Sequence, residues 1–157
     1  MKISKEGINF IKREEEGKNC ARKAYKCPAG YWTIGWGCRF WEDGREVKEN
    51  ETITEERADT LLEKKIYNIA EYYIKQLVTI DLMQCEYDAL CSLVFNVGPG
   101  ALKKSKALKY LNKRDIERFK FEVSDRNNGF TKCNGKISEG LHKRRVREME
   151  VFINKMY

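Results

Sequence analysis

No stretch of this 157-residue chain stays apolar for the roughly 18 residues that a membrane-spanning helix needs. The opening segment, MKISKEGINF, also lacks the apolar core of about 7–15 residues that marks an export signal. Both absences predict a soluble chain that carries no export signal of its own. Histidine is nearly missing too, with His142 alone in the sequence. The six cysteines (Cys20, Cys27, Cys38, Cys85, Cys91 and Cys133) include no CxxC pair, so the ligand spacing of a structural zinc site is absent. We expect no metal and no cofactor. The chain is also long enough to bury a core without covalent staples, so the thiols are expected to be free.

What is present is charge, unevenly spread. The net charge is +7; residues 101–157 carry +9 and residues 1–100 carry −2. A basic C-terminal half suits an anionic polymer such as nucleic acid, a lipid surface or a bacterial wall, and it equally suits an ordinary solvated helix surface. No recognition-helix or RNA-reading motif accompanies the charge. Nucleic acid is therefore not expected as a partner, nor is stable membrane insertion.

The apolar pattern predicts one α+β domain over residues 1–157. Ser4 caps a first helix, with Ile3 and Ile8 at the staple positions and Gly17 placed to end it. Tyr31 to Val47 is rich in β-forming residues and carries an Asp43-Gly44 turn signal, which predicts a hairpin there. Thr54 caps a long helix whose inner face is Ala58, Leu61, Leu62, Ile66, Ile69 and Tyr73. Gln84–Val97 forms another helix, stopped by Gly98-Pro99-Gly100. Asp115 and Ser138 cap two more, the last of them burying Leu141, Met149, Phe152, Ile153 and Met156. The expected architecture is a small hairpin-bearing lobe, about 12–60, joined by a long helix to a larger helical lobe, about 61–157 with the N-terminal helix. A cleft lies between the lobes.

Chemistry concentrates between Glu16 and Gly37, EGKNCARKAYKCPAGYWTIGWG. A carboxylate ends a helix, a short polar loop follows, and an aromatic β run presents Thr33 between Trp32 and Trp36. An acid, a water-holding group and a hydroxyl on separate local elements are the parts required to cut a glycosidic bond.

These residues resemble the signature of the phage-type lysozymes, the endolysin muramidases of glycoside hydrolase family 24. Gln84 with Tyr87-Asp88-Ala89-Leu90, Phe95-Asn96-Val97-Gly98, and Gly140-Leu141 with Arg144-Arg145 and Glu148 extend the likeness from about residue 3 to residue 153. The resemblance implies a two-lobed lysozyme fold and hydrolysis of the β-1,4 bond between N-acetylmuramic acid and N-acetylglucosamine in peptidoglycan, by a monomer. Such a protein accumulates in the cytoplasm until a separate membrane-permeabilising protein releases it to the periplasm or wall. The alternative is a lysozyme-like wall-binding module with little or no turnover.

By the same resemblance Glu16, followed by glycine, is the general acid, with Trp32 or Phe95 desolvating it. Cys27 stands where most members carry aspartate, and Thr33 follows at the family spacing; the two would position or activate water. Arg39, Phe95, Ser105 and Asn134 would lie near bound sugar. Arg144 and Arg145 are expected to pin the last helix. Ten residues separate Glu16 from Cys27 where eight are usual, so Lys18-Asn19 reads as an insertion. Cys38 occupies a position commonly held by histidine.

Overall fold

The computed structural model describes every residue except Gly17 and Lys18, together with the side chain of Glu16. The expected ending of the first helix at Gly17 therefore lies outside the described residues. Helix α1 (Lys5–Glu16) starts as the sequence predicts, with the Ser4 hydroxyl accepting from the Gly7 N–H at 3.0 Å. Phe10 and Ile11 are buried on one face of it, and Ile3 and Ile8 pack against the core.

The hairpin forms earlier in the chain than its aromatic content suggested. Strand β1 (Ala21–Lys26) pairs antiparallel with β2 (Trp32–Gly35), matching Tyr25 to Thr33 and Lys26 to Trp32. Its turn is tied by Cys27 N–H to the Tyr31 carbonyl at 2.9 Å and Gly30 N–H to the Cys27 carbonyl at 2.7 Å. Gly30 adopts φ 85°, a left-handed value that glycine takes without steric cost. The predicted Asp43-Gly44 turn exists but closes only an isolated bridge between Phe40 and Glu46. The polar residues Arg22 and Lys23 hid β1 from its composition. Backbone bonds from the 51–53 segment complete it, Ala24 N–H to Glu51 and Ile53 N–H to Arg22, both at 2.9 Å.

A continuous helical stretch joins the lobes: α2 (Glu55–Lys65), a π-helical segment (Ile66–Glu71) and α3 (Tyr72–Leu77). Thr54 caps it as expected, accepting from Arg57 N–H at 3.3 Å. The expected inner face holds through Ile66 and then fails, since Tyr73 is exposed while Ala70, Glu71 and Ile74 turn inward. The reason is the π segment, where Tyr72 N–H reaches the Tyr67 carbonyl five residues back. The wider turn rotates every later side chain away from the phase a 3.6-residue repeat predicts.

The helical lobe is built around α4 (Gln84–Val97), buried on nearly all sides from Cys85 to Phe95. Around it lie α1, the π segment and α8 (Glu139–Asn154). Short helices α5 (Pro99–Lys103), α6 (Lys106–Leu111) and α7 (Ile116–Ser124) close the far side. A two-rung hairpin, β3 (Lys132–Cys133) with β4 (Lys136–Ile137), precedes α8. Asp88 on α4 gathers both chain ends: it accepts from Ser4 Oγ at 2.5 Å, Ser4 N–H at 2.9 Å and the Tyr157 hydroxyl at 2.6 Å. A β-carbon on Gly7 would lie 2.7 Å from the Asp88 Cγ, so this close helix crossing requires glycine.

On α8, Met149 and Phe152 are buried as expected, but Ile153 and Met156 are exposed. Arg144, Arg145 and Glu148 take up the inward stripe instead. Charged residues occupy that face because they satisfy one another there, which hydropathy alone does not reveal.

Candidate active site

A cleft of about 620 Å³ opens between the lobes. The small lobe lines it with Tyr25, Cys27, Tyr31, Thr33, Gly37 and Arg39. The helical lobe contributes Asn96, Phe130, Lys132, Cys133 and Leu141, and the end of α1 contributes Glu15.

Among the described residues, Glu15 is the carboxylate that lines this cleft. It lies four residues after the fully buried Ile11, one turn along the same helical face. Its Oε1 accepts from Arg144 Nη1 at 2.5 Å, and its side chain is only 15% exposed. Its Oε2 lies so near Gly37 that a β-carbon there would sit 2.5 Å away, and Gly37 also has φ 71°. The glycine of the TIGWG run thus makes room for the carboxylate.

Arg144 is itself buried and held by Glu148 Oε1 at 3.1 Å. Burial pulls the Arg144 pKa down, but the charges of and hydrogen bonds to Glu15 and Glu148 outweigh it, and the net direction is up. A permanently charged fork therefore orients Glu15. Behind it, Arg145 Nε pairs with Glu148 Oε2 at 2.9 Å, Arg145 Nη2 donates to Asn96 Oδ1 at 3.1 Å, and Ser92 donates to Glu148 at 2.7 Å. Both arginines pin α8, as the sequence suggested, and Arg144 reaches the cleft carboxylate as well.

Cys27 and Thr33 come together at the turn end of the β1–β2 hairpin. Partial burial raises the Cys27 thiol pKa. Hydrogen bonding with the Tyr31 backbone, the Thr33 side chain and the backbones of Ala29 and Gly30 lowers it further than that, and the net shift is downward. Thr33 is buried, and its hydroxyl donates to the Tyr31 carbonyl at 3.2 Å. Cys38 is the opposite case: buried beneath the same lobe, its thiol is pushed up to about 11 by loss of solvent.

The other expected residues are scattered. The side chain of Glu16 lies outside the described residues. Arg39 lines the cleft, stacked 3.7 Å from the Tyr31 ring and paired with Glu46 at 2.5 Å. Phe95 is buried beneath the Lys65 ammonium, 4.0 Å from its ring, and Trp32 lies under Lys26 at 5.3 Å. Ser105 caps α6, accepting from Leu108 N–H at 3.3 Å. Asn134 occupies the exposed β3–β4 turn at φ 50°, next to the cleft-lining Cys133. Sequence reasoning passed over Glu15, Asn96 and Cys133. Helical phase from Ile11 was the available signal for Glu15, and the Phe95-Asn96-Val97-Gly98 match was the one for Asn96; nothing local marked Cys133. Among the described residues, no three metal-binding side chains cluster.

Residues 14–148 match the phage lysozyme family. The chain belongs to the phage lysozyme family. Members are glycoside hydrolases acting on peptidoglycan. The endolysin of Bacillus phage B103 is 37% identical over 153 residues, a match covering 98% of this chain and 54% of that protein. The chain thus spans about half the length of that relative. The endolysin of Acyrthosiphon pisum secondary endosymbiont phage 1 is 36% identical, with 97% of this chain and 98% of that one covered. In three dimensions the endolysin from Escherichia coli O157:H7 phage FAHEc1 superposes with a TM-score of 0.88 at 28% identity, covering 100% of this chain and 96% of the other. The lysozyme-like architecture of two lobes around a cleft is therefore shared across the whole length.

Proposed function

We propose that this lysozyme-family chain is a muramidase that hydrolyses the β-1,4 bond between N-acetylmuramic acid and N-acetylglucosamine of peptidoglycan, with Glu15 as the general acid. The observation that carries this reading is the Glu15 carboxylate, fixed by Arg144 in the same cleft that Cys27 and Thr33 line from the other lobe. Glu15 is given the role expected of Glu16 because, among the described residues, it is the carboxylate that lines the cleft.

A glycan strand lies along the cleft, over the Tyr31–Arg39 stack. Glu15 gives a proton to the departing glycosidic oxygen as positive charge develops on the sugar ring. Arg144 keeps the carboxyl oriented and stabilises its conjugate base as the proton leaves. Cys27, in its thiolate form, takes a proton from the attacking water, and the Thr33 hydroxyl helps hold that water. A water placed between two such groups gives inversion at the anomeric carbon. The wall polymer is the partner, and the chain works as a monomer. No helix among the described residues is long and apolar enough to cross a membrane.

The test is digestion of purified peptidoglycan by the parent, Glu15→Gln and Glu16→Gln, with mass analysis of the released muropeptides. We expect reducing-end muramic acid from the parent and from Glu16→Gln, and none from Glu15→Gln. Equal digestion by Glu15→Gln would remove Glu15 from the mechanism. No digestion by the parent under reducing conditions would favour a wall-binding module.

A further inference from the structure

The run from Gly35 to Gly37 lies along α2, which meets it at each of its residues. A β-carbon on Gly35 would lie 3.0 Å from that of Ala58, Trp36 Nε1 donates to Asp59 Oδ1 at 2.7 Å, and Lys65 Nζ donates to the Gly37 carbonyl at 3.3 Å. Lys65 is the last residue of α2 and is half-buried, and its ammonium also stands over the Phe95 ring of α4 at 4.0 Å. One cation thus bridges the small-lobe loop and the central helix of the other lobe. Among the described residues it has no carboxylate partner, unlike Lys12, which pairs with Asp59 at 2.6 Å.

We propose that Lys65 is a positioning residue for the cleft carboxylate, acting through the Gly37 peptide. The proposal rests on the reading of Glu15 as the general acid. Gly37 is the residue against which Glu15 Oε2 lies, since a β-carbon there would fall 2.5 Å from that oxygen. Arg144 holds Oε1 from the helical lobe, so the carboxyl sits between a guanidinium and a glycine backbone. That glycine adopts φ 71° and has no side chain to fix its peptide plane. The bond from Lys65 to its carbonyl fixes the plane instead, and a charged donor makes it stronger than a neutral one would be. The Phe95 face offsets part of the cost of keeping the ammonium half-buried.

The next residue reports the same two charges. The Cys38 thiol, raised chiefly by burial, is lowered by Lys65 and raised by Glu15. Lys65 and Glu15 therefore both act on the short Gly37–Cys38 segment, whose backbone joins them. Loss of the Lys65 bond frees the Gly37 peptide and lets the carboxyl drift from the line of proton transfer. The residues that hold the sugar are untouched, so turnover falls and substrate binding does not.

The test measures kcat and KM on soluble peptidoglycan fragments, with the melting temperature, for the parent, Lys65→Met, Lys65→Arg and Glu15→Gln. Methionine keeps an apolar stem on Phe95 while removing donor and charge, so kcat should fall about tenfold to a hundredfold at unchanged KM. Arginine restores both donor and charge and stacks on the ring, so it should recover about half of the parent kcat or more. If Lys65→Met fails to fold, Lys65→Gln, which also removes the charge, carries the same expectation. A parent-like kcat in the folded neutral variant would overturn the proposal. An equal loss in Lys65→Arg, or a raised KM at parent kcat, would do the same. Parent-like digestion by Glu15→Gln would instead overturn the assignment of the acid, on which the proposal rests.

Discussion

On the small-lobe wall of the cleft, Cys27 and Thr33 are held by the backbone of a short hairpin, whereas on the opposite side Glu15 is held by a guanidinium anchored in the core. The hairpin wall is thin and turn-based: Cys27 owes its lowered pKa to hydrogen bonding at residues 29 to 33. The other side is deep and ionic, running from Glu15 through Arg144 to Glu148, Arg145 and Asn96. The contrast assigns different liabilities. Changes on the hairpin should alter chemistry and leave stability nearly untouched, while changes behind Glu15 should unfold the protein.

The largest expected effect is on turnover at the ionic side. Glu15→Gln removes the proposed proton donor, and initial rates on purified peptidoglycan should fall by about 10²–10⁴-fold, the range for a lost general acid. Thermal denaturation should show the variant folded. Next comes Glu148→Ala, which leaves two buried guanidiniums without their shared carboxylate. It should cost about 3–5 kcal/mol in urea unfolding, while Arg147→Ala, whose side chain is nearly half exposed in its pair with Glu14, should cost about 1 kcal/mol or less. If the two cost the same, the buried network is not what supports this side of the cleft.

On the hairpin wall, Cys27→Ala should slow digestion about tenfold to a hundredfold without shifting the unfolding midpoint, as removal of a positioned base does. Cys27→Asp should keep or raise the rate. A Cys27→Ala variant as fast as the parent would make the thiol a bystander.

The pH profile sharpens the same comparison. A thiol whose folded pKa is lowered is ionised above that value, so the rate should rise with pH on a limb below the ordinary value of 9.0. In Cys27→Asp that limb should move toward the carboxylate range, near pH 4. An unchanged limb would mean another group titrates. The smallest effect is expected away from the cleft. Glu51 accepts from Trp41 Nε1, Lys48 N–H and Arg45, and these bonds, the Lys48 backbone N–H foremost, hold its carboxyl down at about 2. A depressed carboxyl stabilises the fold above its ordinary pKa, and that contribution is lost as pH falls toward 2. Acid titration followed by Trp41 fluorescence should therefore show the 40–51 loop intact at pH 4, and Glu51→Gln should remove the low-pH transition.

Much of the fold was legible because it depends on local rules. Caps at Ser4, Thr54, Asp115 and Ser138 were readable from residue type, and the structure uses all four. The phase of the connecting helix past Ile66 was not readable, because a π turn is set by packing on α4 and no residue announces it. Strand β1 was missed because its partner, and not its own composition, makes it a strand. Glu15 was not singled out for a related reason: the Glu16-Gly17 pair matches a motif along the chain, but one residue along a helix changes the side-chain direction by about 100°, and only packing shows that Glu15 lines the cleft.

The amino-acid order alone determined the family, the two-lobed plan, and the presence of Cys27 and Thr33 at the hairpin, since motifs, caps and apolar spacing are written within short stretches. Only the tertiary structure decided that Glu15 lines the cleft, that Arg144 anchors it, and that Cys133 stands in the same hollow as Cys27. Those relations join residues more than a hundred positions apart, and burial and charge pairing act through space, where no local pattern records them.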